Sequence, residues 1–181
     1  MPREHLWAPW RLGYIVGDAR KDAPQIDLAW LDGASPDCFL CRSAADPDQH
    51  RTLTAWRGST AMVVLNRYPY ANGHLLIAPQ AHKARLDDLS PDEHLEIMQT
   101  IARLTGALER LMNCDGFNVG LNLGKVAGAG VPGHLHWHLV PRWHGDTNFM
   151  PVLANTNVIP QSLEALFELL RSELPQSPRM D

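Results

Sequence analysis

Apolar and polar positions follow two rhythms along this chain. In SPDEHLEIMQTIARLTGALERLMN, residues 90–113, Ile97, Ile101, Leu104, Leu108 and Leu111 recur at spacings of three and four, which predicts one apolar stripe on a helix. Ser90 can cap that helix, Pro91 fits its first position, and Glu93 completes a capping box. Asn113 and Gly116 supply its end. A second amphipathic helix is expected over about residues 160–173, opening at Pro160 and carrying Leu163, Leu166, Phe167 and Leu170. Two apolar runs without this period, residues 60–67 and 74–79, flank the turn residues of YPYANG and predict strands. FNVGLNL, residues 117–123, reads as another strand and leads into the glycine-rich loop GKVAGAGVPG.

The second rhythm is strict alternation, in GHLHWHLVPRW, residues 133–143. On a helix His136 would point about 200° away from His134 and His138. On a strand all three imidazoles share one face at intervals of roughly 6.5–7 Å, and Leu135, Trp137 and Leu139 cover the other. The glycine loop before the run, β-favouring Trp137 and Val140, and a stop at Pro141 favour the strand. Strands flanking one long helix predict an α+β fold with an antiparallel sheet. At 181 residues the chain fits one domain, with residues 1–35 as an irregular arm, 36–145 as the core and 146–181 as a C-terminal extension with its helix.

Composition narrows the class. A hydrophobic fraction of 45% and a charged fraction of 20% are those of a globular protein. The longest apolar runs, such as residues 61–65, are too short to span a bilayer, and the N-terminus lacks a signal-peptide core. A net charge of −4 offers no general attraction to nucleic acid. The three cysteines are a CxxC pair, Cys38 and Cys41, and a separate Cys114, expected as core packing. An odd count without an export signal points to a reducing, cytoplasmic setting.

Imidazoles on a strand face can act as nucleophile, as general acid or base, or as metal ligands. A neutral histidine attacks phosphorus well when its other nitrogen is protonated and held by a carbonyl or carboxylate. Backbone N–H groups of Gly128, Ala129, Gly130 and Val131 can form an anion nest beside it. Loop and strand together supply the parts of a phosphoryl- or nucleotidyl-transfer site. A metallohydrolase with the three histidines on a catalytic metal remains the rival reading, and a nucleotide-binding regulatory protein of low turnover is a second.

With these residues in view, the sequence resembles the histidine-triad (HIT) family. His134-Leu135-His136-Trp137-His138-Leu139-Val140 matches its pattern of alternating His and apolar residues, and LNRYPYANGHLLIAPQAH matches an upstream block. LWAPWR, GFNVGLNLG and HWHLVPRW resemble the dinucleoside polyphosphate phosphorylase branch. The resemblance implies a HIT-like fold with a five-stranded core, a homodimer, and cleavage of dinucleoside polyphosphates or related AMP esters at the α-phosphate. By position, His136 would be the nucleophile forming an adenylyl-histidine, and His138 would contact phosphate near the leaving group. Asn66 would contact the ribose and Asn122 would help position the phosphate. Ala129, Gly130 and Val131 would hold the α-phosphate by their N–H groups, although Ala129-Gly130 replaces the usual Gln-Ser/Thr pair. Phosphate as acceptor would make the enzyme a phosphorylase and water a hydrolase; the branch resemblance points to the former. His82 and His134 match positions that complete a Cys₂His₂ zinc site with Cys38 and Cys41 in zinc-bearing members, with His50 as a substitute ligand.

The remaining candidates have milder readings. LWAPWRLGYI would pack as an arm, with base stacking and an Arg11–polyphosphate contact as the alternative. Arg142 and Trp143 either close the site or cap the strand. His74 is expected to satisfy a backbone group in the core, His144 and Asp146 to lie in a surface loop, and His5 and His94 to be solvated.

Overall fold

The computed structural model describes residues 28–146 and 158–174. The LWAPWRLGYI motif with Arg11, and His5, lie outside the described residues. Helices α1 (Phe39–Ala45) and α2 (Gln49–Thr52) precede strands β1 (Thr54–Arg57), β2 (Ala61–Leu65) and β3 (Leu75–Pro79). The long helix α3 (Pro91–Met112) follows, then β4 (Gly116–Leu121), β5 (Trp137–Arg142) and α4 (Leu163–Glu173). The five strands form one sheet in the order β1-β2-β3-β5-β4, and every pairing is antiparallel.

The long helix forms as its sequence dictates. The Ser90 side chain accepts from the Glu93 N–H while the Glu93 carboxylate accepts from the Ser90 N–H, so two otherwise orphaned donors are satisfied. Asn113, in the left-handed region at φ 49°, ends it. Its stripe of Ile97, Ile101, Leu104 and Leu108 is buried against Val63, Leu65, Leu75, Ile77 and Leu139 of the sheet. Each such fully buried aliphatic side chain contributes about 1.5–3 kcal/mol. Glu96, on the same helix, accepts from the N–H groups of Ser59, Thr60 and Ala61 and ties α3 to the β1–β2 turn.

The other sheet face carries a separate cluster in which Met62, Val64 and Ala78 pack with Cys38, Leu40 and Cys41. Alternation along β5 assigns its residues to the two faces. Leu135, Trp137 and Leu139 join the helix-side core, leaving the histidines on the opposite side.

Several boundaries differ from the sequence reading. Gly116 begins β4 instead of closing α3. The C-terminal helix starts at Leu163, not Pro160, because the Ser162 hydroxyl caps it by accepting from the Ala165 N–H. Pro141 does not stop the strand. Arg142 turns its carbonyl toward β4, where it accepts from the Asp115 N–H. Pro141 therefore faces the β3 side, and β3 pairing has ended at Leu75↔Leu139, so the missing N–H costs no ladder bond. Strand β1 and helices α1 and α2 had no periodic signal and emerge only here.

Candidate active site

The histidine run is strand-like at one end only. His138 lies within β5, whereas His134 and His136 precede it, and Leu135 donates its N–H to the Lys83 carbonyl at 2.7 Å. All three are nevertheless held by specific partners. The Nδ1–H of His136 donates to the carbonyl oxygen of His134 at 2.8 Å. This bond fixes the tautomer and leaves Nε2 with an unshared lone pair.

His138 is fixed in the opposite sense by a residue that sequence reasoning left in the core. His74 is 1% exposed and its Nδ1 accepts the Tyr70 N–H at 3.1 Å. The His74 proton must then sit on Nε2, from which it is donated to Nδ1 of His138 at 2.9 Å. His138 consequently carries its own proton on Nε2. The two rings, centroids 5.2 Å apart, present a bare nitrogen and an N–H side by side. Burial, then the facing His138 and His136, push the His74 pKa down to about 4, which keeps it neutral at pH 7. Burial and the neighbouring His136 also lower that of His138. His74 does satisfy a backbone group, as expected, but it also orients His138. Its placement one residue before an all-apolar strand hid the alternation that brings it to this face.

His134 is committed elsewhere. Its Nε2–H donates to the Pro79 carbonyl at 2.9 Å, which turns the Nδ1 lone pair toward the sulfurs of Cys38 and Cys41, at 3.4 and 3.5 Å. The Nδ1 of His82 lies 3.1 Å from the Cys41 sulfur. The four ligand atoms of Cys38, Cys41, His82 and His134 all lie within 4.8 Å of one another. A tetrahedral ion with bonds of about 2.0–2.3 Å needs ligand separations of roughly 3.3–3.8 Å, so the set closes on such an ion with small movements. The carbonyl behind His134 is the usual outer support of a metal-bound imidazole. Cys38 caps α1 and Cys41 lies in its first turn, so the helix sets their spacing. Gly133 makes room, since a Cβ there would come 3.2 Å from Nε2 of His82. His50 takes no part; it faces Glu164 and Glu168 and stands edge-on to Phe167 on α4.

The polar residues around the histidines divide similarly. Asn66 accepts the Tyr68 N–H at 2.9 Å, and its amide nitrogen lies 3.3 Å from Nδ1 of His74. Asn122 donates to the Gly128 carbonyl at 3.5 Å and braces the glycine loop. Within that loop the N–H of Gly128 bonds the Lys125 carbonyl, and that of Ala129 bonds the Gly124 carbonyl at 3.3 Å. The turn around Lys125–Ala127 thus spends the Gly128 and Ala129 donors, two of the four expected to form an anion nest. Arg142 caps the strand end through Asp146 and Asn118, and Asp146 is its partner more than a free loop residue. The His94 Nε2–H donates to the Leu86 carbonyl at 3.0 Å from an exposed position. Cys114 is core packing, as expected, and burial raises its pKa.

The HIT domain model matches residues 56–145. The chain is 35% identical over 175 residues to a protein of Mycobacterium tuberculosis named AP-4-A phosphorylase, covering 97% of this chain and 86% of that relative. It is 42% identical over 114 residues to an adenosine 5'-monophosphoramidase of Saccharomyces cerevisiae, covering 63% and 66% of the two chains. Among solved structures, a zinc-bound histidine triad family protein from Mycobacterium smegmatis superposes with a TM-score of 0.55 at 28% identity, over 66% of this chain and 81% of that one.

Proposed function

The chain belongs to the HIT domain family, and from that premise we propose that it is an enzyme cleaving dinucleoside polyphosphates or related AMP esters at the α-phosphate through a nucleotidyl-histidine. One observation carries the reading: His136 and His138 stand side by side in opposite tautomers, a bare Nε2 next to an Nε2–H. The Nε2 of His136 attacks the α-phosphorus, and an N–P bond forms as the bond from phosphorus to the leaving polyphosphate oxygen breaks. The Nε2–H of His138 meets that departing oxygen. The N–H groups of Gly130 and Val131 hold the non-bridging oxygens, Asn122 keeps their loop in place, and Asn66 contacts the ribose. Ala129 serves by closing the turn that aims the next two donors. Inorganic phosphate then attacks the nucleotidyl-histidine and releases ADP, or water releases AMP. The name of the M. tuberculosis relative favours phosphate.

Cys38, Cys41, His82 and His134 fit a structural Zn²⁺, which when bound would cross-link α1 to the entry of β5. The metallohydrolase reading is weaker, since the ligand cluster draws on His134 alone of the three histidines. The described β4 is a sheet edge with Val119 47% exposed, and it supports the expected homodimer through strand pairing.

The test is incubation with diadenosine tetraphosphate, with and without phosphate, and product identification. ATP with ADP marks phosphorolysis, and ATP with AMP marks hydrolysis. His136→Ala should lower kcat by at least ~10³-fold with metal content unchanged. Loss of metal in that variant supports the metallohydrolase, and nucleotide binding without turnover in wild type supports the regulatory protein.

A further inference from the structure

The loop between β2 and β3 carries two tyrosines, Tyr68 and Tyr70, whose side chains the nucleotidyl-transfer reading leaves unused. Its two ends are tied together. The Asn66 N–H donates to the His74 carbonyl at 3.1 Å, and the Asn66 side chain accepts the Tyr68 N–H. The His74 N–H reaches back to the Ala71 carbonyl at 3.3 Å, and the Tyr70 N–H to Nδ1 of His74 at 3.1 Å. The main chain at Tyr70 is therefore held by bonds to which its own side chain contributes nothing. That side chain nevertheless lies over the site. Tyr70 is 61% exposed, but its ring is 4.6 Å from that of His74, tilted by 37°, and 5.8 Å from that of His138, within 21° of parallel. A near-parallel pair at such a separation is a favourable offset stack.

What the ring can do follows from how His138 is held. The hydrogen bond from Nε2 of His74 to Nδ1 of His138, at 2.9 Å, fixes one point of the imidazole and its tautomer, but not the plane of the ring. The torsion that turns an imidazole about its bond to Cβ has a broad minimum, so packing must set the plane. His136 stands at 65° to His138 and His74 at 44°, so neither lies flat against it. Among the described residues, the ring that does is Tyr70. A hydrogen bond weakens as its angle at the proton falls below about 150°, so this plane decides how much the Nε2–H is worth to an incoming acceptor.

The geometry points to Tyr70 as a positioning residue that, by stacking on His138, holds the plane of that imidazole so that its Nε2–H faces the departing oxygen. The inference rests on the nucleotidyl-transfer reading and adds a residue to it. In the step concerned, the bond from Nε2 of His136 to phosphorus forms and the bond from phosphorus to the leaving oxygen breaks, its electron pair staying on that oxygen. The Nε2–H of His138 donates a hydrogen bond to the oxygen and keeps its proton. Tyr70 touches neither phosphorus nor the leaving group. The stacked ring matters, and the phenolic hydroxyl does not.

The phenyl and p-nitrophenyl esters of AMP separate this role from a merely structural one. The p-nitrophenolate spreads its charge into the nitro group and needs the hydrogen bond less, whereas phenolate keeps more charge on the oxygen. Single-turnover release of the phenol is measured for both esters in wild type, Tyr70→Ala and Tyr70→Phe. Tyr70→Ala should slow the phenyl ester about tenfold more than the p-nitrophenyl ester, a fraction of the loss from deleting such a donor outright. Tyr70→Phe, which keeps the stack, should retain the wild-type ratio of the two rates. A ratio unchanged in Tyr70→Ala, or shifted as far in Tyr70→Phe as in Tyr70→Ala, overturns the positioning role. Cleavage of the p-nitrophenyl ester alone by wild type overturns the hydrogen bond from His138, and Tyr70's part with it, while leaving the nucleophile in place. No cleavage of either ester by wild type overturns the reaction itself.

Discussion

His134 and His138 sit four residues apart in one alternating run, on the same face, and burial lowers the basicity of both. Their rings are nonetheless set up for opposite purposes. At His134 a carbonyl takes the Nε2 proton and the lone pair at Nδ1 turns to two sulfurs. At His138 the N–H of a second imidazole, His74, donates to Nδ1 and leaves the ring's own proton at Nε2. His136 lies between, its Nδ1–H on the His134 carbonyl. A histidine's chemistry here is assigned by whatever occupies its far nitrogen. The strand supplies only the spacing.

Three changes would break or sharpen that contrast. The largest effect is expected at the His134 end. Cys41→Ser should empty the metal cluster and lower stability by about 3 kcal/mol or more, read as metal content and the urea midpoint. Unchanged metal and midpoint would remove the cluster's structural role. At the other end, His74→Leu removes the hydrogen bond to Nδ1 of His138 and should lower kcat about 10- to 100-fold on diadenosine tetraphosphate, whose departing oxygen the Nε2–H of His138 would meet. His74→Gln, which can donate through its amide, should recover much of that loss. Equal losses in the two variants would make His74 mere packing.

The smallest effect is in pH. Burial holds the His74 pKa at about 4, below the 6.5 of an ordinary imidazole, so below pH 6.5 the unfolded chain binds a proton that the folded chain refuses. Its contribution is complete above pH 6.5 and is lost as pH falls toward 4. At pH 5.5 wild type should therefore lose about 1 kcal/mol more stability, relative to pH 7.5, than His74→Gln does. Parallel curves for the two proteins would argue against a buried neutral His74.

Much of this was legible in the chain. The α3 stripe and its capping box are local, set by side chains three and four residues apart, and they form as read. The alternation of His134, His136 and His138 with Leu135, Trp137 and Leu139 likewise determines which residues enter the core. Strand β1, by contrast, is a four-residue segment whose burial comes from β2 and α4 packing on it, so no window of its own sequence marks it. The same holds for Pro141, which looks like a stop until the end of β3 is known.

Sequence alone determined the fold class, the helix that backs the sheet, and the presentation of three imidazoles on one face, because these follow from periodicity and local hydrogen bonds. Tertiary structure decided what each imidazole is for. For His134 and His138 the partners that fix protons and lone pairs, Pro79, His74 and the Cys38–Cys41 pair, lie from 55 to 96 residues away, beyond the reach of any local rule, whereas His136 takes its partner from the His134 carbonyl two residues back.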